Sequence, residues 1–381
     1  MMYNNNNKYG LKKSLNCTSS EQGILIGTNP IDTLLIEINE LWIKDLILLL
    51  DGTQSILDIQ SQLKQKGYQL EKENILEKIK LFFDNDLLDD YNSNDNQDIH
   101  TALNENEIER YDRQMLLFKS IAGDDKGALS NQVKLKNSKI CLIGIGGIGS
   151  YVFYALAAMG VGEIKVVDFD KVELSNLSRQ ILYTEDDIDH YKIDVARKKS
   201  ELINSNVKYE FINDMITDTQ RACEIIKDSD LVILCADIPR GKIGGIINKA
   251  AFELKVPVIY GGSARTCITC GPIIIPGETE CYACFFDLDK KTTNSKDDDI
   301  VQFIRNRYTT TLIDPYNSMA GSLISLEAVK LLTNFQASRL KGEMMILDTD
   351  DYSISKIKGE AKASCNICGQ GEEQKVYKLF N

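Results

Sequence analysis

The residues whose types and spacing best fit ligand chemistry are a glycine loop and the acidic residue that follows it. The loop reads Gly144-Ile-Gly146-Gly147-Ile-Gly149, after an apolar run that predicts a strand and before a predicted helix. Glycines in this context let the backbone approach phosphates, and a helix N-terminus offers unpaired N–H groups. Asp168 ends the next predicted strand, where a carboxylate that binds ribose belongs. These residues predict a nucleotide site; the alternative is a tight strand–helix turn without a ligand.

A polar and basic cluster after Asp168 favours a triphosphate over a nicotinamide dinucleotide. The chain continues with Asp170, then with a Ser-Asn-Leu-Ser-Arg-Gln stretch that holds Asn176 and Arg179, and then with Lys192. Guanidinium and ammonium groups neutralise phosphate charge, whereas a nicotinamide site does not need such a cluster. Taken singly, Arg179 and Lys192 fit solvated surface charges equally well.

The cysteines indicate metal or redox chemistry. Six of the ten fall into three CxxC pairs: Cys267 with Cys270, Cys281 with Cys284, and Cys365 with Cys368. In an intracellular chain this pattern is more typical of such chemistry than of a disulfide framework. The first pair lies in a Gly-rich strand segment, where we expect small buried side chains. Since there are only 2 histidines, a mechanism that depends on a histidine base is disfavoured.

Composition narrows the class of protein. Lys and Arg number 44 against 56 Asp and Glu, a formal net charge of −12, which disfavours nucleic acid and anionic membranes as partners. No apolar run, Leu46 to Leu50 included, approaches the roughly 20 residues that span a bilayer. The Asn-rich stretch from Met1 to Gly10 lacks the apolar core of a secretion signal, so we expect a cytoplasmic protein.

The elements that must position these residues fall into two blocks. Residues 1–91 contain two strand-like runs, three helical segments and a closing strand, which predicts a small winged-helix-like α+β domain. Residues 92–105 begin with a polar, aperiodic run and are predicted to be a linker. Residues 106–381 alternate strand and helix, which predicts an α/β fold with a largely parallel, doubly wound sheet. We expect the helix after the glycine loop to span Tyr151 to Met159.

Further motifs accompany the glycine loop along the second block. They are Arg110-Tyr-Asp-Arg113-Gln, Asp168-Phe-Asp170, Ser175-Asn-Leu-Ser-Arg179-Gln, Lys192, Cys235-Ala-Asp237, Cys281-Tyr-Ala-Cys284 and Cys365-Asn-Ile-Cys368. In this order they resemble the ubiquitin-activating-enzyme-like adenylating proteins, the family of ThiF, MoeB and MccB, over residues from about 108 to 370. The resemblance implies a Rossmann-like doubly wound sheet of the ThiF/MoeB type and an adenylyltransferase.

The resemblance also implies that the matching residues bind ATP. The glycine loop and Asp170 would belong to the nucleotide site, and Asp168 would hold the ribose hydroxyls. Asn176, Arg179 and Lys192 would contact the phosphates, and the last two would also serve catalysis.

Two further catalytic residues and two metals follow from the same resemblance. Asp237 would coordinate Mg²⁺ and orient the α-phosphate; the alternative is a turn or helix-cap residue, since Pro239 follows. Arg113 would be an arginine finger supplied by the other subunit of a homodimer. One structural Zn²⁺ would be bound by the last two CxxC pairs: Cys281, Cys284, Cys365 and Cys368.

The segment after the second CxxC pair distinguishes the branches of the family. Sulfur-carrier and ubiquitin-type members commonly present a cysteine there to accept the acyl group. Here Tyr308 to Ala320 contains none, and none lies between Cys284 and Cys365. The Pro315…Asn317 pattern is instead similar to MccB-type peptide adenylyltransferases.

The first block points to the same branch. Its segment from Leu48 to Ile59, with an Asp-Gly-Thr turn, is similar to PqqD-type peptide-recognition domains, which add a precursor peptide as a strand at a sheet edge. The alternative is a dimerisation or stabilising domain.

The leading hypothesis is ATP-dependent adenylation of a carboxyl or carboxamide group on a ribosomally made precursor peptide, in the biosynthesis of a microcin-like peptide antibiotic. One alternative is a MoeB/ThiF-type sulfur-carrier adenylyltransferase, which acts on a small protein ending in Gly-Gly. Another is a non-catalytic protein that delivers a peptide to a cyclodehydratase, against which the retained ATP-site residues argue.

Overall fold

The chain divides into two compact units. The structure is a computed structural model and describes residues 6–27, 33–91, 95–286 and 313–369. The units are Met1–Leu129 and Ser130–Asn381. The domain boundaries predicted from the sequence, at residues 92 and 106, remain predictions.

The first unit combines two small antiparallel sheets with helices. Its strands are β1 (Lys8–Leu11), β2 (Asn16–Ser20), β3 (Gly23–Gly27), β4 (Thr33–Glu37), β5 (Asp51–Ser55) and β6 (Leu88–Asp90). Its helices are α1 (Leu41–Leu49), α2 (Ile56–Gln65), α3 (Lys72–Asp84), α4 (Asp95–Ala102) and α5 (Glu105–Ala122). One sheet has the order β5-β1-β6, and the other is the meander β2-β3-β4.

Local sequence explains why α2 forms where it does. The Ser55 side chain accepts a hydrogen bond from the Asp58 N–H, and the Asp58 carboxylate accepts one from the Ser55 N–H, so a capping box begins the helix. Ile56, Ile59 and Leu63 then recur at helical spacing and are buried. The segment predicted to be a linker contains helix α4. The sequence does not indicate this helix, because its few apolar residues show no helical period.

The second unit is built on one eight-stranded sheet. Its strands are β7 (Lys139–Ile143), β8 (Glu163–Val167), β9 (Lys208–Ile212), β10 (Leu231–Leu234), β11 (Val258–Ala264), β12 (Cys267–Ile274), β13 (Glu343–Asp348) and β14 (Ile354–Lys358). Its helices are α6 (Asp125–Asn137, which contains the boundary between the units), α7 (Gly147–Ala158), α8 (Lys192–Ile203), α9 (Thr219–Ile226), α10 (Ile243–Leu254), α11 (Tyr282–Phe285) and α12 (Asp314–Thr333).

The α/β prediction is confirmed, but the sheet is mixed rather than largely parallel. Strands β11-β10-β7-β8-β9 are parallel, and β12, β13 and β14 continue the sheet antiparallel. The change of direction follows from a tight turn between β11 and β12, in which Arg265 adopts a φ of 51°. Helix α7 begins at Gly147, four residues before the predicted Tyr151, because the glycine loop itself forms the first turn.

The strand order determines where a ligand can bind. The chain runs from β7 to β8 on one side and returns to β10 on the other, so the order reverses between β7 and β10. Ligands of open α/β sheets bind in the crevice beyond the carboxyl ends of the strands at such a point. Within the described ranges, no helix is both long and apolar enough to cross a membrane.

Candidate active site

The glycine loop follows β7, and each glycine meets a different constraint. Gly144 has a φ of 90°, and a Cβ there would lie 2.8 Å from the Ala236 backbone nitrogen. A Cβ on Gly149 would lie 2.0 Å from the Gly144 carbonyl oxygen. At Gly146 the nearest atom to an added Cβ is 3.8 Å away, so the loop is bare at this position. Two glycines are therefore required by packing, and Gly146 leaves room for a ligand.

Asp168 organises the loop from the end of β8. One carboxylate oxygen accepts the Ile145 N–H at 2.8 Å, and the other accepts the Asp170 N–H at 2.9 Å. Burial raises the pKa of Asp168, and the Lys192 charge and these two N–H groups offset only part of that effect. Asp168 is thus a buried carboxylate held in one orientation.

Lys192 forms an ion pair with Asp170, two residues after Asp168. Its Nζ lies 3.0 Å from an Asp170 carboxylate oxygen, and its side chain is only 6% exposed. A solvated surface charge, the alternative that the sequence left open, does not fit this burial. Lys192 begins α8, and its backbone N–H donates to the Asp170 carbonyl, so the start of the helix is tied to the loop after β8.

Asn176 and Arg179 lie on the loop between β8 and α8. The buried Asn176 side chain accepts the Glu173 N–H at 3.2 Å and so caps a short 3₁₀ turn. The half-buried Arg179 guanidinium donates to the Ser175 carbonyl at 2.6 Å. The next residue, Gln180, is buried, and its Oε1 has no hydrogen-bond partner among the described residues.

Asp237 lies on the loop that follows β10. Loss of solvation raises the pKa of its carboxyl, and the nearby Arg240 charge lowers it only in part. Helix α10 begins at Ile243 with Lys242 as its N-cap, so Asp237 does not cap that helix. A charged carboxylate in this position favours a cation beside it.

One cavity of about 1300 Å³ brings these residues together. The sequence-predicted residues that line it are Gly144, Gly146, Gly147, Asp168, Asp170, Asn176, Arg179, Lys192 and Asp237. Gly149 does not line it and packs against the Gly144 carbonyl instead. Arg113 lies on α5 in the first unit, with its side chain 88% exposed.

Asn317 is a cavity residue that the sequence marked only as a sign of the branch. It is 1% exposed, donates to the Arg179 carbonyl at 3.4 Å and accepts the Ser263 hydroxyl at 3.3 Å. A Cβ on Gly147 would lie 2.5 Å from its Nδ2, so Gly147 makes room for this amide. Residues 308–312 of the segment without a cysteine lie outside the described residues.

The last two CxxC pairs form one cluster. All four Sγ atoms lie within 4.8 Å of one another, with 3.7 Å between those of Cys281 and Cys365 and 3.5 Å between those of Cys284 and Cys368. Zn–S bonds of about 2.3 Å in a tetrahedron place sulfurs roughly 3.8 Å apart. Burial raises the pKa of Cys365, but the Cys368 and Ile367 N–H groups, together with hydrogen bonds from the Cys284 and Cys281 side chains, outweigh it and lower the pKa to about 7. The cluster fits a closed zinc site.

The first CxxC pair does not form such a site. Cys267 and Cys270 both lie in β12, three residues apart, so their side chains leave opposite faces of the sheet. Cys270 is fully buried, and burial raises its pKa to about 12.

Comparison with known proteins gives consistent matches. A sequence model described as the ThiF family matches residues 111–367. The chain is 29% identical over 277 residues to the sulfur carrier protein ThiS adenylyltransferase of Escherichia coli, covering 70% of this chain and 97% of that protein. It is 28% identical over 267 residues to the adenylyltransferase and sulfurtransferase UBA4 of Scheffersomyces stipitis, of which it spans only 56%.

The structure is similar to a solved structure of E. coli MccB with AMPCPP and MccA. The TM-score is 0.71 at 23% identity, and the match covers 95% of this chain and 99% of that one. This likeness concerns the fold, and it extends over both units, whereas the ThiS adenylyltransferase match covers 70% of the chain.

Proposed function

The chain belongs to the ThiF family, and on that premise we propose that it adenylates a carboxyl or carboxamide group on a ribosomally made precursor peptide, with release of pyrophosphate. Relatives that it covers almost completely are named adenylyltransferases, so the reaction type is ATP-dependent adenylation. The observation that carries the proposal is the single cavity that joins the glycine loop, Asp168, Lys192, Arg179 and Asp237.

The nucleotide half of the cavity binds ATP through backbone N–H groups and through charged side chains. The bare Gly146 lets loop N–H groups reach the phosphate chain at the N-terminus of α7. The oriented Asp168 carboxylate accepts hydrogen bonds from the ribose hydroxyls. Asn176, Arg179 and Lys192 bind the phosphates and offset their negative charge, which lets a second anion approach.

The chemical step then depends on placing the substrate carboxylate beside the α-phosphorus, and it does not depend on a protein base. An oxygen of the substrate carboxylate attacks the α-phosphorus, the bond to the bridging oxygen breaks, and pyrophosphate leaves with the electron pair. A carboxylate is already ionised at neutral pH, so no protein base has to remove a proton. This agrees with a chain that has only 2 histidines.

Asp237 is the residue that would hold Mg²⁺. Mg²⁺ is usually bound by one or two carboxylates together with substrate phosphates, and Asp237 lines the same cavity as the phosphate-binding residues. When bound, the ion neutralises phosphate charge. The four clustered cysteines would hold Zn²⁺ in a structural role, since four thiolates leave no open position for a substrate.

Arg113 completes the site from the other subunit of a homodimer in this proposal. A complementation experiment tests it: Arg113→Ala and Asp237→Asn chains are each inactive, but mixed dimers contain one site with both residues. When the two variants are mixed in equal amounts, half of the dimers are mixed, and each of these has one complete site out of two. The mixture should therefore recover about a quarter of the wild-type activity. Absence of recovery in mixed dimers verified by mass would place Arg113 outside the partner's site.

The peptide as substrate is supported by the extent of the structural likeness. The MccB match covers 95% of the chain, whereas the ThiF family model leaves residues 1–110, most of the first unit, uncovered. In that unit β4 is an outer strand of its sheet, and Leu34 and Leu35 on it are each 40% exposed. An apolar outer strand offers backbone groups for pairing with an extended peptide.

Incubation with candidate precursor peptides tests the proposal. Short peptides encoded beside this gene are incubated with the protein and Mg-ATP, and their masses are followed. We expect an ATP-dependent mass change in one peptide, with a raised KM for that peptide and an unchanged ATP affinity in Leu35→Glu. Binding of a peptide without any ATP-dependent mass change would refute the proposal.

A sulfur-carrier adenylyltransferase is the second candidate, because the relatives that the chain covers almost completely act in that chemistry by name. It predicts adenylation of a small protein ending in Gly-Gly. The absence of any cysteine between Cys284 and Cys365 disfavours it, since no thiol is available there to accept the acyl group. Activity on such a carrier and on no peptide would establish it.

A further inference from the structure

The cavity is larger than a nucleotide site needs. Its volume of about 1300 Å³ exceeds the roughly 300–1000 Å³ of ordinary ligand pockets. Asp168 follows β8, whereas Tyr260 belongs to β11, and β7 and β10 lie between those strands. Three strand spacings separate them, roughly 14 Å. The cavity therefore has a second half, beside β11, beyond the nucleotide residues.

Three aromatic side chains, here called the aromatic wall, line this second half: Tyr260, Tyr282 and Phe286. The Tyr260 and Tyr282 ring centroids lie 4.5 Å apart with planes at 28°, and Tyr282 and Phe286 lie 4.6 Å apart. Stacked and tilted rings at these distances attract one another. The wall is thus a preformed surface rather than a set of separate side chains.

Helix α10 and the second CxxC pair position Tyr282. A Cβ on Gly244 would lie 2.6 Å from the Tyr282 Cζ and 2.8 Å from its hydroxyl oxygen, so the glycine leaves room for the hydroxyl end of the ring. The Tyr282 N–H donates to the buried Asn248 carboxamide at 3.0 Å. Cys281 and Cys284 flank the ring in sequence and belong to the four-cysteine cluster. Tyr282 is therefore positioned by its backbone hydrogen bond, by Gly244 at the hydroxyl end of the ring, and by the neighbouring cluster cysteines.

This half is mainly apolar, and the Ser263 and Thr269 hydroxyls that also line it already donate hydrogen bonds within the protein. Among the described residues, the Tyr282 hydroxyl has no hydrogen-bond partner. The described residues of α10, β11, β12 and β13 that line this half carry no charge. An uncharged apolar pocket with one available hydroxyl suits an apolar side chain and one backbone hydrogen bond.

We propose that the aromatic wall is the subsite for the acyl substrate, and that it binds an aromatic or large aliphatic side chain on the residue before the activated carboxyl group. The Tyr282 hydroxyl forms a hydrogen bond with the peptide backbone at that residue. The proposal rests on the proposed function, because it takes the cavity half beside the nucleotide as the place of the acyl group. It names the side chain that the site selects.

Binding of two small probes tests the subsite without turnover. Acetyl-Phe-Ala and acetyl-Gly-Ala, each with its carboxylate, are titrated calorimetrically into the full chain saturated with a non-hydrolysable ATP analogue. We expect the Phe probe to bind at least about tenfold more tightly, as burial of one aromatic side chain implies. Equal affinity for the two probes, or no binding of either, would overturn the proposal.

Substitutions in and beside the aromatic wall test whether the wall causes the preference for the Phe probe. Tyr282→Ala should abolish it, and Tyr282→Phe should keep it with weaker binding of both probes. In Gly244→Ala the added methyl group would clash with the hydroxyl end of the ring, so this variant should also reduce the preference. Lys249→Ala is the control, because Lys249 is an exposed residue of the same helix and does not line the cavity. Unchanged thermal melting and zinc content verify folding, and a preference retained in Tyr282→Ala would refute the assignment.

The outcome separates this proposal from the proposed function. Pyrophosphate release with whole peptides is measured on the same preparations. Probe preference without peptide-dependent release would remove the proposed function and leave a side-chain subsite. Release without probe preference would keep the function and reject the aromatic wall.

Discussion

Alanine at Gly146 should preserve the fold and weaken ATP binding, whereas alanine at Gly144 should destabilise the fold. At Gly146 the nearest atom to an added Cβ is 3.8 Å away and φ is −79°. The methyl group therefore meets no protein atom closely, and it should lower the free energy of unfolding less than a methyl group at Gly144 does. It does occupy the space through which the backbone reaches the phosphates.

Gly144 differs because both its conformation and its neighbours exclude a side chain. A φ of 90° and contacts of 2.8 and 2.9 Å with Ala236 backbone atoms leave no flexible group that can yield. Left-handed strain of about 1–2 kcal/mol and overpacking of about 1–3 kcal/mol add to roughly 2–5 kcal/mol. For a unit of this size that lowers Tm by about 4–20 °C.

Thermal unfolding by circular dichroism and calorimetric titration with Mg-ATP measure the two effects on the same preparations. Loss of one charge-assisted hydrogen bond, worth about 1.5–3 kcal/mol, should weaken ATP binding by Gly146→Ala about 10–150-fold. Wild-type ATP affinity in Gly146→Ala would refute the placement of the phosphates at this loop. Wild-type Tm in Gly144→Ala would refute the packing argument.

Further predictions concern the charges and the metal. Lys192→Met should weaken Mg-ATP binding about 10–150-fold, while Lys198→Met, at an exposed position of the same helix, should not. Adenosine, which has no phosphate to titrate, should lose affinity as pH falls through the Asp168 pKa; burial raises that pKa, so the loss should begin at higher pH than an exposed carboxylate would give. Cys365→Ser should abolish zinc binding and cost at least about 2 kcal/mol of stability, measured by elemental analysis and Tm, while Cys267→Ser keeps the metal.

The nucleotide half of the cavity could be predicted from the sequence because its signals are local. The glycine loop, Asp168 and the helix after the loop lie within one strand–helix–strand unit, where spacing determines position. Lys192 was ambiguous as a single charge, and only its burial beside Asp170 excludes a surface role.

The second half could not be predicted, because its residues are distant in sequence and give no spacing signal. Ser263 and Asn317 meet across 54 positions, and Tyr260 stacks on a residue that the sequence presented only as part of a CxxC pair. The antiparallel direction of strands β12 to β14 could not be predicted for a related reason. Apolar runs indicate buried strands but carry no information about their direction.

Pyrophosphate release from Mg-ATP tests the central claim most directly. The full chain is assayed with and without the short peptides encoded beside its gene and with a carrier protein ending in Gly-Gly, and Asp237→Asn serves as the control. We predict pyrophosphate release that depends on a peptide and disappears in Asp237→Asn. Release that depends only on the carrier, or no release with any acceptor, would contradict it.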